Sequence, residues 1–311
     1  MIYYAHISLK GGKFMANKKA ALSTKRSTTQ KSTASKRPTA TKVTTVKAVE
    51  ASRFSTKGVS SRLPANIVNI VIAEVIGTFV LTLVALLSVS SLAPLYIGLT
   101  MLVLVVVIGA ISGAHVNPAV TFGLWTARRL RSILLPFYWV AQFIGAMAAV
   151  VLLSAITNGA FGINFSDFWN LNWGILIIEL VGTAVFLFGF MASTSQTGFS
   201  QGTKAIGIGL SLSVGLLVAS SLFATLQGSI DQTKITSIKD VPHELRVKSA
   251  ALNPAIALAA TENTDSQLQG SNAMQDEKQT SRLGVEVILG TLIGAALGAN
   301  LYLATSYRNK R

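Results

Sequence analysis

Six stretches of the chain read as nearly unbroken apolar runs, at about 66–89, 95–113, 133–156, 173–192, 205–226 and 283–305. Crossing about 30 Å of hydrocarbon as a helix takes roughly 20 apolar residues, so each run is long enough to span a bilayer. Two further apolar segments, about 116–126 and 253–261, are too short to cross, and each opens on the same triplet, Asn-Pro-Ala. Ahead of the first run the text changes character. From Met15 to about Leu63 it is Lys, Ser, Thr and Ala without apolar periodicity, with runs such as Ser23-Thr24-Lys25-Arg26-Ser27-Thr28-Thr29. Such a segment cannot bury enough surface to offset chain entropy and is expected to be disordered.

Charge sharpens this division. The 311 residues carry a formal net charge of +15 although half of them are hydrophobic. Residues 1–64 hold fourteen of the 27 Lys and Arg and a single acid, Glu50, whereas the remaining 247 residues are nearly neutral. The basic character belongs to the tail, and the mean hydropathy of +0.53 understates the body. This composition disfavours a soluble enzyme or a nucleic-acid-binding domain and favours a polytopic membrane protein with a basic extension. The tail is expected to reinforce topology, or to contact anionic lipid or nucleic acid through screened Coulomb attraction. Lys10-Gly11-Gly12 followed by Lys13-Phe14-Met15 resembles a translated purine-rich ribosome-binding site, which makes Met15 a candidate true start and the bacterial inner membrane the expected location.

The segments after the second and fourth runs and at the C-terminus hold seven basic residues (Arg128, Arg129, Arg131, Lys204, Arg308, Lys310, Arg311) and no acid. The opposite-side segments hold six basic residues and eight acids. The positive-inside rule then places both termini in the cytoplasm. Parity requires the two short segments to enter and leave on one side, so they are expected to be re-entrant. The expected fold class is an all-α membrane protein of six transmembrane helices plus two re-entrant half-helices. Residues 65–305 form its channel domain, and 306–311 a short basic cytoplasmic C-terminus.

The chain also repeats itself. Ala73-Glu74-Val75-Ile76-Gly77-Thr78 returns as Ile178-Glu179-Leu180-Val181-Gly182-Thr183, and Gly98-Leu99-Thr100 as Gly209-Leu210-Ser211. Asn117-Pro118-Ala119 returns as Asn253-Pro254-Ala255, and Ile144-Gly145-Ala146 as Ile293-Gly294-Ala295. The offsets grow in order from 105 through 111 and 136 to 149, so two copies of one unit, 66–156 and 173–305, differ by insertions. Each copy holds three crossings, an odd number, so the copies lie in opposite orientations and the functional site is expected near the midplane.

Proline suits the first helical turn and asparagine is a strong N-cap, so each Asn-Pro-Ala reads as the start of a short helix. Two such starts in opposite orientations converge at the membrane centre, presenting positive dipole ends and the amides of Asn117 and Asn253. Irregular backbone at that depth must line a wet cavity or be buried in protein. The consequence is a narrow aqueous path with central hydrogen-bond donors and an electrostatic barrier to cations and protons.

The chain from about 66 to 305 resembles the aquaporin, or major intrinsic protein, superfamily of water and small-solute channels. Ser112-Gly113-Ala114-His115-Val116-Asn117-Pro118-Ala119-Val120-Thr121 matches the first signature of that family. The resemblance implies that Asn117, Pro118, Ala119, Asn253, Pro254 and Ala255 form the pore centre. It implies that Glu74 and Glu179 hold the re-entrant loops through backbone contacts, and that His115 braces the first loop. The other reading of an intramembrane glutamate is a proton or ion relay. A homotetramer in the lipid bilayer, each subunit with its own pore for water or small neutral solutes, is also implied.

The second signature departs from the family. Where an arginine usually follows the second Asn-Pro-Ala, this chain has Ile256. Motif spacing maps the other selectivity-constriction positions to Ile97, Leu216 and Ala250, giving an aliphatic ring without fixed charge. Such a ring either passes small neutral solutes or gases along with loosely selected water, or dewets and closes. The loop from about 227 to 252 is enlarged; either it is a solvated insertion or one of Arg246 and Lys248 folds back to replace the missing charge. Arg282 and Glu286 stand i,i+4 at the start of the sixth run and are expected to pair at the interface. Trp125, Trp169 and Trp173 read as interfacial anchors.

Chemistry other than transport finds little footing. There is no cysteine, so disulfides and thiolate metal sites are excluded, and His6, His115 and His243 offer no metal-ligand spacing. Neither a carboxylate pair, a nucleophile–base set nor a cofactor loop stands out. The expectation is a passive channel that needs no cofactor or metal. Its alternatives are a neutral-solute or gas facilitator with low water flux, and a non-conducting membrane scaffold with a lipid- or nucleic-acid-binding tail.

Overall fold

Each of the six apolar runs folds into one long helix in the computed structural model, which describes residues 63–88, 90–157, 163–268 and 279–307. Nearly all of the basic tail, and the C-terminal Arg308, Lys310 and Arg311, lie outside the described residues. In chain order the first repeat contributes α1 (Ile67–Leu87), α2 (Ala93–Ser112), the short α3 (Pro118–Thr126) and α4 (Leu135–Thr157), the last entered through a 3-10 turn at Ser132–Leu134. The second contributes α5 (Trp173–Ser195), α6 (Gln201–Gly228), one-turn α7 (His243–Arg246), the short α8 (Pro254–Ala259), one-turn α9 (Asp265–Leu268) and α10 (Val285–Tyr307). Two-residue strands β1 (Ile163–Asn164) and β2 (Gln279–Thr280) pair in parallel outside the helical body.

Boundaries differ from the apolar runs where caps act. Helix α6 starts four residues before its apolar run because the Ser200 hydroxyl accepts the Thr203 N–H at 3.1 Å. Helix α10 starts late because Ser281–Gly284 is held in a non-helical bend, with Arg282 N–H donating to Ala260 O at 2.9 Å. Among the described residues, six helices are long and apolar enough to cross a membrane. Their outward faces expose large apolar side chains such as Val68, Val107, Val151 and Ile177. That pattern suits a hydrocarbon solvent, where helix association rests on close packing rather than on burial from water.

Close packing follows the repeat. Helix α1 lies on α4 as α5 lies on α10, and α2 meets α6 between them. Any Cβ added at Gly145 would meet the Val75 carbonyl of α1, and one at Gly294 would meet the Leu180 carbonyl of α5. Both residue pairs are repeat equivalents, so the same glycine seals the same crossing twice. At the α2–α6 crossing the equivalents meet each other: a Cβ on Gly98 or Gly209 would fall 2.5 Å from the other's carbonyl oxygen. This crossing therefore lies on the pseudo-two-fold axis. The short helices exchange partners, α3 against α10 and α8 against α4, which brings their N-termini together.

Candidate functional site

The two Asn-Pro-Ala triplets meet head to head. Asn117 Oδ1 accepts the Ala119 N–H at 2.7 Å and Asn253 Oδ1 accepts the Ala255 N–H at 3.0 Å, so each asparagine caps its own short helix. Pro118 and Ala119, like Pro254 and Ala255, are the buried first turns of α3 and α8. Each asparagine also reaches across the pseudo-axis: Asn117 Nδ2 donates to Leu252 O at 2.8 Å and Asn253 Nδ2 donates to Val116 O at 3.0 Å. A carboxamide nitrogen carries two hydrogens, and one of each pair remains for whatever the asparagines face.

The backbone supplying those carbonyls is strained. Val116 and Leu252, each just before its asparagine, have φ of +44° and +50°. That left-handed region costs a β-branched or bulky residue on the order of 1–3 kcal/mol. Two buried carboxylates hold the strained turns. Glu74 accepts the N–H groups of His115 and Val116 at 2.9 and 2.7 Å, and Glu179 accepts those of Ala251 and Leu252, both at 2.9 Å. The His115 ring stacks on Tyr138 at 4.4 Å between centroids, and its Nδ1 lies 3.2 Å from Thr121 Oγ1.

The carboxylates differ in what else they hold. Glu74 receives Gln142 Nε2 at 2.8 Å, and the same amide donates to Thr121 Oγ1 at 3.0 Å. The repeat equivalent of Gln142 is Thr291, whose hydroxyl is spent on Val287 O of its own helix at 2.7 Å. Glu179 instead has Arg282 Nη2 at 3.4 Å, while Arg282 Nη1 donates to Glu286 Oε1 at 3.1 Å. The Arg282–Glu286 pair thus forms with the expected spacing, but in the interior: Arg282 is 3% exposed.

A narrow cavity of about 90 Å³ runs beside this junction. Asn117, Asn253 and His115 line it, and so do all four constriction candidates, Ile97, Leu216, Ala250 and Ile256. Glu74 and Glu179 stand behind the lining. Beyond the four aliphatic constriction candidates, Arg282 lines the same cavity and brings a fixed charge to it. Arg246 is engaged elsewhere, with Nη1 2.7 Å from Asp265 Oδ1 and Nη2 donating to Ile238 O at 3.1 Å. Lys248 is exposed and, like Arg246, is absent from the lining.

The enlarged loop is folded against the body rather than merely solvated. Gln227 Nε2 donates to the carbonyls of Glu244 and Val247 at 2.8 and 3.0 Å, and Asn172 Nδ2 donates to Glu244 Oε1 at 2.7 Å. His243 on α7 places Nε2 3.1 Å from Glu262 Oε1 and 3.9 Å from Glu286 Oε1. Burial alone would lower the His243 pKa, and Arg282 acts in the same direction. The hydrogen bond and charge of Glu262, with the charge of Glu286, outweigh both and raise it above the ordinary value.

Two of these residues are missing from the sequence-based site. Gln142 carried the same signal as Glu74, a lone polar side chain inside an apolar run. Arg282 offered only its i,i+4 spacing to Glu286, since its partner Glu179 lies 103 positions upstream.

A sequence model of the Major intrinsic protein family matches residues 63–225, more than half of the chain. The chain belongs to the major intrinsic protein family. With six membrane-length apolar helices, it is an integral membrane protein. It is 30% identical over 220 residues to aquaporin NIP2-2 of Zea mays, covering 66% of this chain and 72% of the maize protein. It is 31% identical to aquaporin NIP2-1 of Oryza sativa subsp. japonica, over 55% of this chain and 59% of that one. Aquaporin Z of Brucella melitensis biotype 1 is 39% identical over 37% of this chain and 56% of its own length. The chain thus spans less than two thirds of the rice and Brucella proteins. Among solved structures, the aquaglyceroporin from Plasmodium falciparum shares the fold with a TM-score of 0.50 at 19% identity, covering 79% of this chain and 100% of that one. The relatives include both plant and bacterial proteins.

Proposed function

We propose that residues 65–305 form a passive transmembrane channel for water and small uncharged solutes. The reading is carried by one observation: a single narrow cavity is lined by both cross-bonded asparagines and by Ile97, Leu216, Ala250 and Ile256. The spare amide hydrogens of Asn117 and Asn253 give a permeating water or hydroxyl group central donors. The N-termini of α3 and α8 meet there and add positive potential, which opposes cations and protons. Glu74, Glu179 and His115 hold the loops in this arrangement, since the carboxylates are committed to backbone N–H groups instead of standing free as relays. The aliphatic walls favour a second reading, a facilitator for neutral solutes with low water flux.

Six crossings put both termini on one face, and the basic segments make that face cytoplasmic. In the bilayer the protein forms a homotetramer in which each subunit carries its own pore.

Purified protein in liposomes, challenged osmotically with an impermeant solute and then with small neutral solutes, reports water and solute flux together. Faster shrinkage than in empty liposomes is expected, and fast re-swelling with little shrinkage would select the second reading. Flux no greater than in empty liposomes would overturn both.

A further inference from the structure

Among the residues lining the cavity, Arg282 alone carries a permanent charge, and the constriction map drawn from motif spacing did not include it. We infer that Arg282, delivered from the start of α10, is the specificity-determining cation of this pore. The inference rests on the channel reading above.

The geometry supports a built position. The guanidinium is 3% exposed, far below what a solvated arginine shows. Two carboxylates from different helices fix it, Glu286 at 3.1 Å and Glu179 at 3.4 Å. Both act from behind, since neither belongs to the cavity lining. Glu179 also holds the Ala251 and Leu252 N–H groups, so the guanidinium is tied to the turn that aims Asn253. Only part of its five-donor fork is spent on these carboxylates, and Nε is itself buried, without a hydrogen-bond partner among the described residues. Because Arg282 lines the cavity, a permeant carbonyl or hydroxyl oxygen meets a charged side chain in a wall that is largely apolar on the side of Ile97, Leu216 and Ile256. A cation reaches the guanidinium before Glu179 or Glu286, which lie outside the lining and offset part of its charge, so the repulsion is that of the near side of an ion-pair cluster. Such a wall favours small polar neutral molecules and excludes cations.

The test compares Arg282→Lys, which keeps the charge but loses the fork, with the double variant Arg282→Met/Glu286→Leu. The double change removes the Arg282–Glu286 pair together, which proteins tolerate better than removal of one partner, and Glu179 keeps its Ala251 and Leu252 N–H donors. Each variant is reconstituted beside the wild-type full chain. Water flux, glycerol and urea flux, and K⁺ and H⁺ leak are then measured. In the double variant, cation leak is expected to rise on the order of tenfold or more, a factor that corresponds to about 1.4 kcal/mol of barrier. Arg282→Lys should keep cations out while changing the glycerol-to-urea ratio. Monodisperse variants with wild-type cation exclusion and solute ratios would overturn the role of Arg282 and leave the channel standing. Wild-type liposomes no more permeable than empty ones would overturn the channel and this inference together. Should the double variant fail to fold, Arg282→Lys decides alone: an unchanged glycerol-to-urea ratio overturns the role.

Discussion

At the scale of single residues, the site depends on polar groups that are satisfied at membrane depth. Glu74→Ala would strip partners from the His115 and Val116 N–H groups and from the Gln142 amide. Each buried polar group left without a partner costs about 1–3 kcal/mol, so a marked fall in thermal midpoint in detergent is expected. Glu74→Gln keeps an acceptor and should cost less, and a fall equal to that of Glu74→Ala would contradict this account. A second prediction concerns the wall. Ile256→Arg adds a guanidinium to the cavity that Arg282 already lines, and should narrow it and lower solute flux relative to water in the liposome assay. An unchanged ratio would remove Ile256 from the constriction. The identity of these side chains was legible in the sequence, because Asn-Pro-Ala and lone glutamates stand out in apolar text. The third partner of each carboxylate was not, because Gln142 and Arg282 occupy different positions in the two repeats.

At the scale of elements, helix crossings and loop ties decide what can move. Gly294 lies where any side chain would strike the Leu180 carbonyl, a rigid obstacle in the middle of α5. Gly294→Val should therefore lower the yield of monodisperse protein sharply, whereas Gly198→Ala, in open space, should not. Size-exclusion profiles of the two variants check this. The enlarged loop carries a pH dependence whose sign follows from His243. Its pKa is raised above 6.5 by Glu262 and Glu286, against burial and Arg282. The protonated imidazole therefore favours the docked loop. That contribution is complete below the ordinary value and is lost as pH rises through the raised one. Limited proteolysis of the loop should accelerate as pH rises through the raised pKa of His243, and His243→Ala should flatten the profile. Long helices were legible because their apolar length exceeds the bilayer requirement. The tied loop was not, since its partners Asn172 and Asp265 sit in other segments.

At the scale of the whole molecule, the pseudo-two-fold axis organises the site. The same axis carries the reciprocal contacts of Gly98 with Gly209 and of the two asparagines with Val116 and Leu252. The basic tail lies almost wholly outside the described residues, and deleting residues 15–60 is expected to leave liposome flux intact; a loss of flux would assign the tail a role in conduction. By itself the sequence determined the number of crossings, the repeat, the inverted orientation of its halves and the convergence of two helix starts. These follow from apolar length, parity and capping chemistry, which are local or countable along the chain. Only the tertiary structure decided the charge of the cavity. The sequence pointed to an uncharged ring around Ile256 and to Arg246 or Lys248 as its only replacements. In the fold, the non-helical bend at Ser281–Gly284 places Arg282 between Glu179 and Glu286, and Asp265 holds Arg246 away. A buried guanidinium goes where carboxylates offset its desolvation, and where carboxylates from distant segments meet is a property of the packed helices alone.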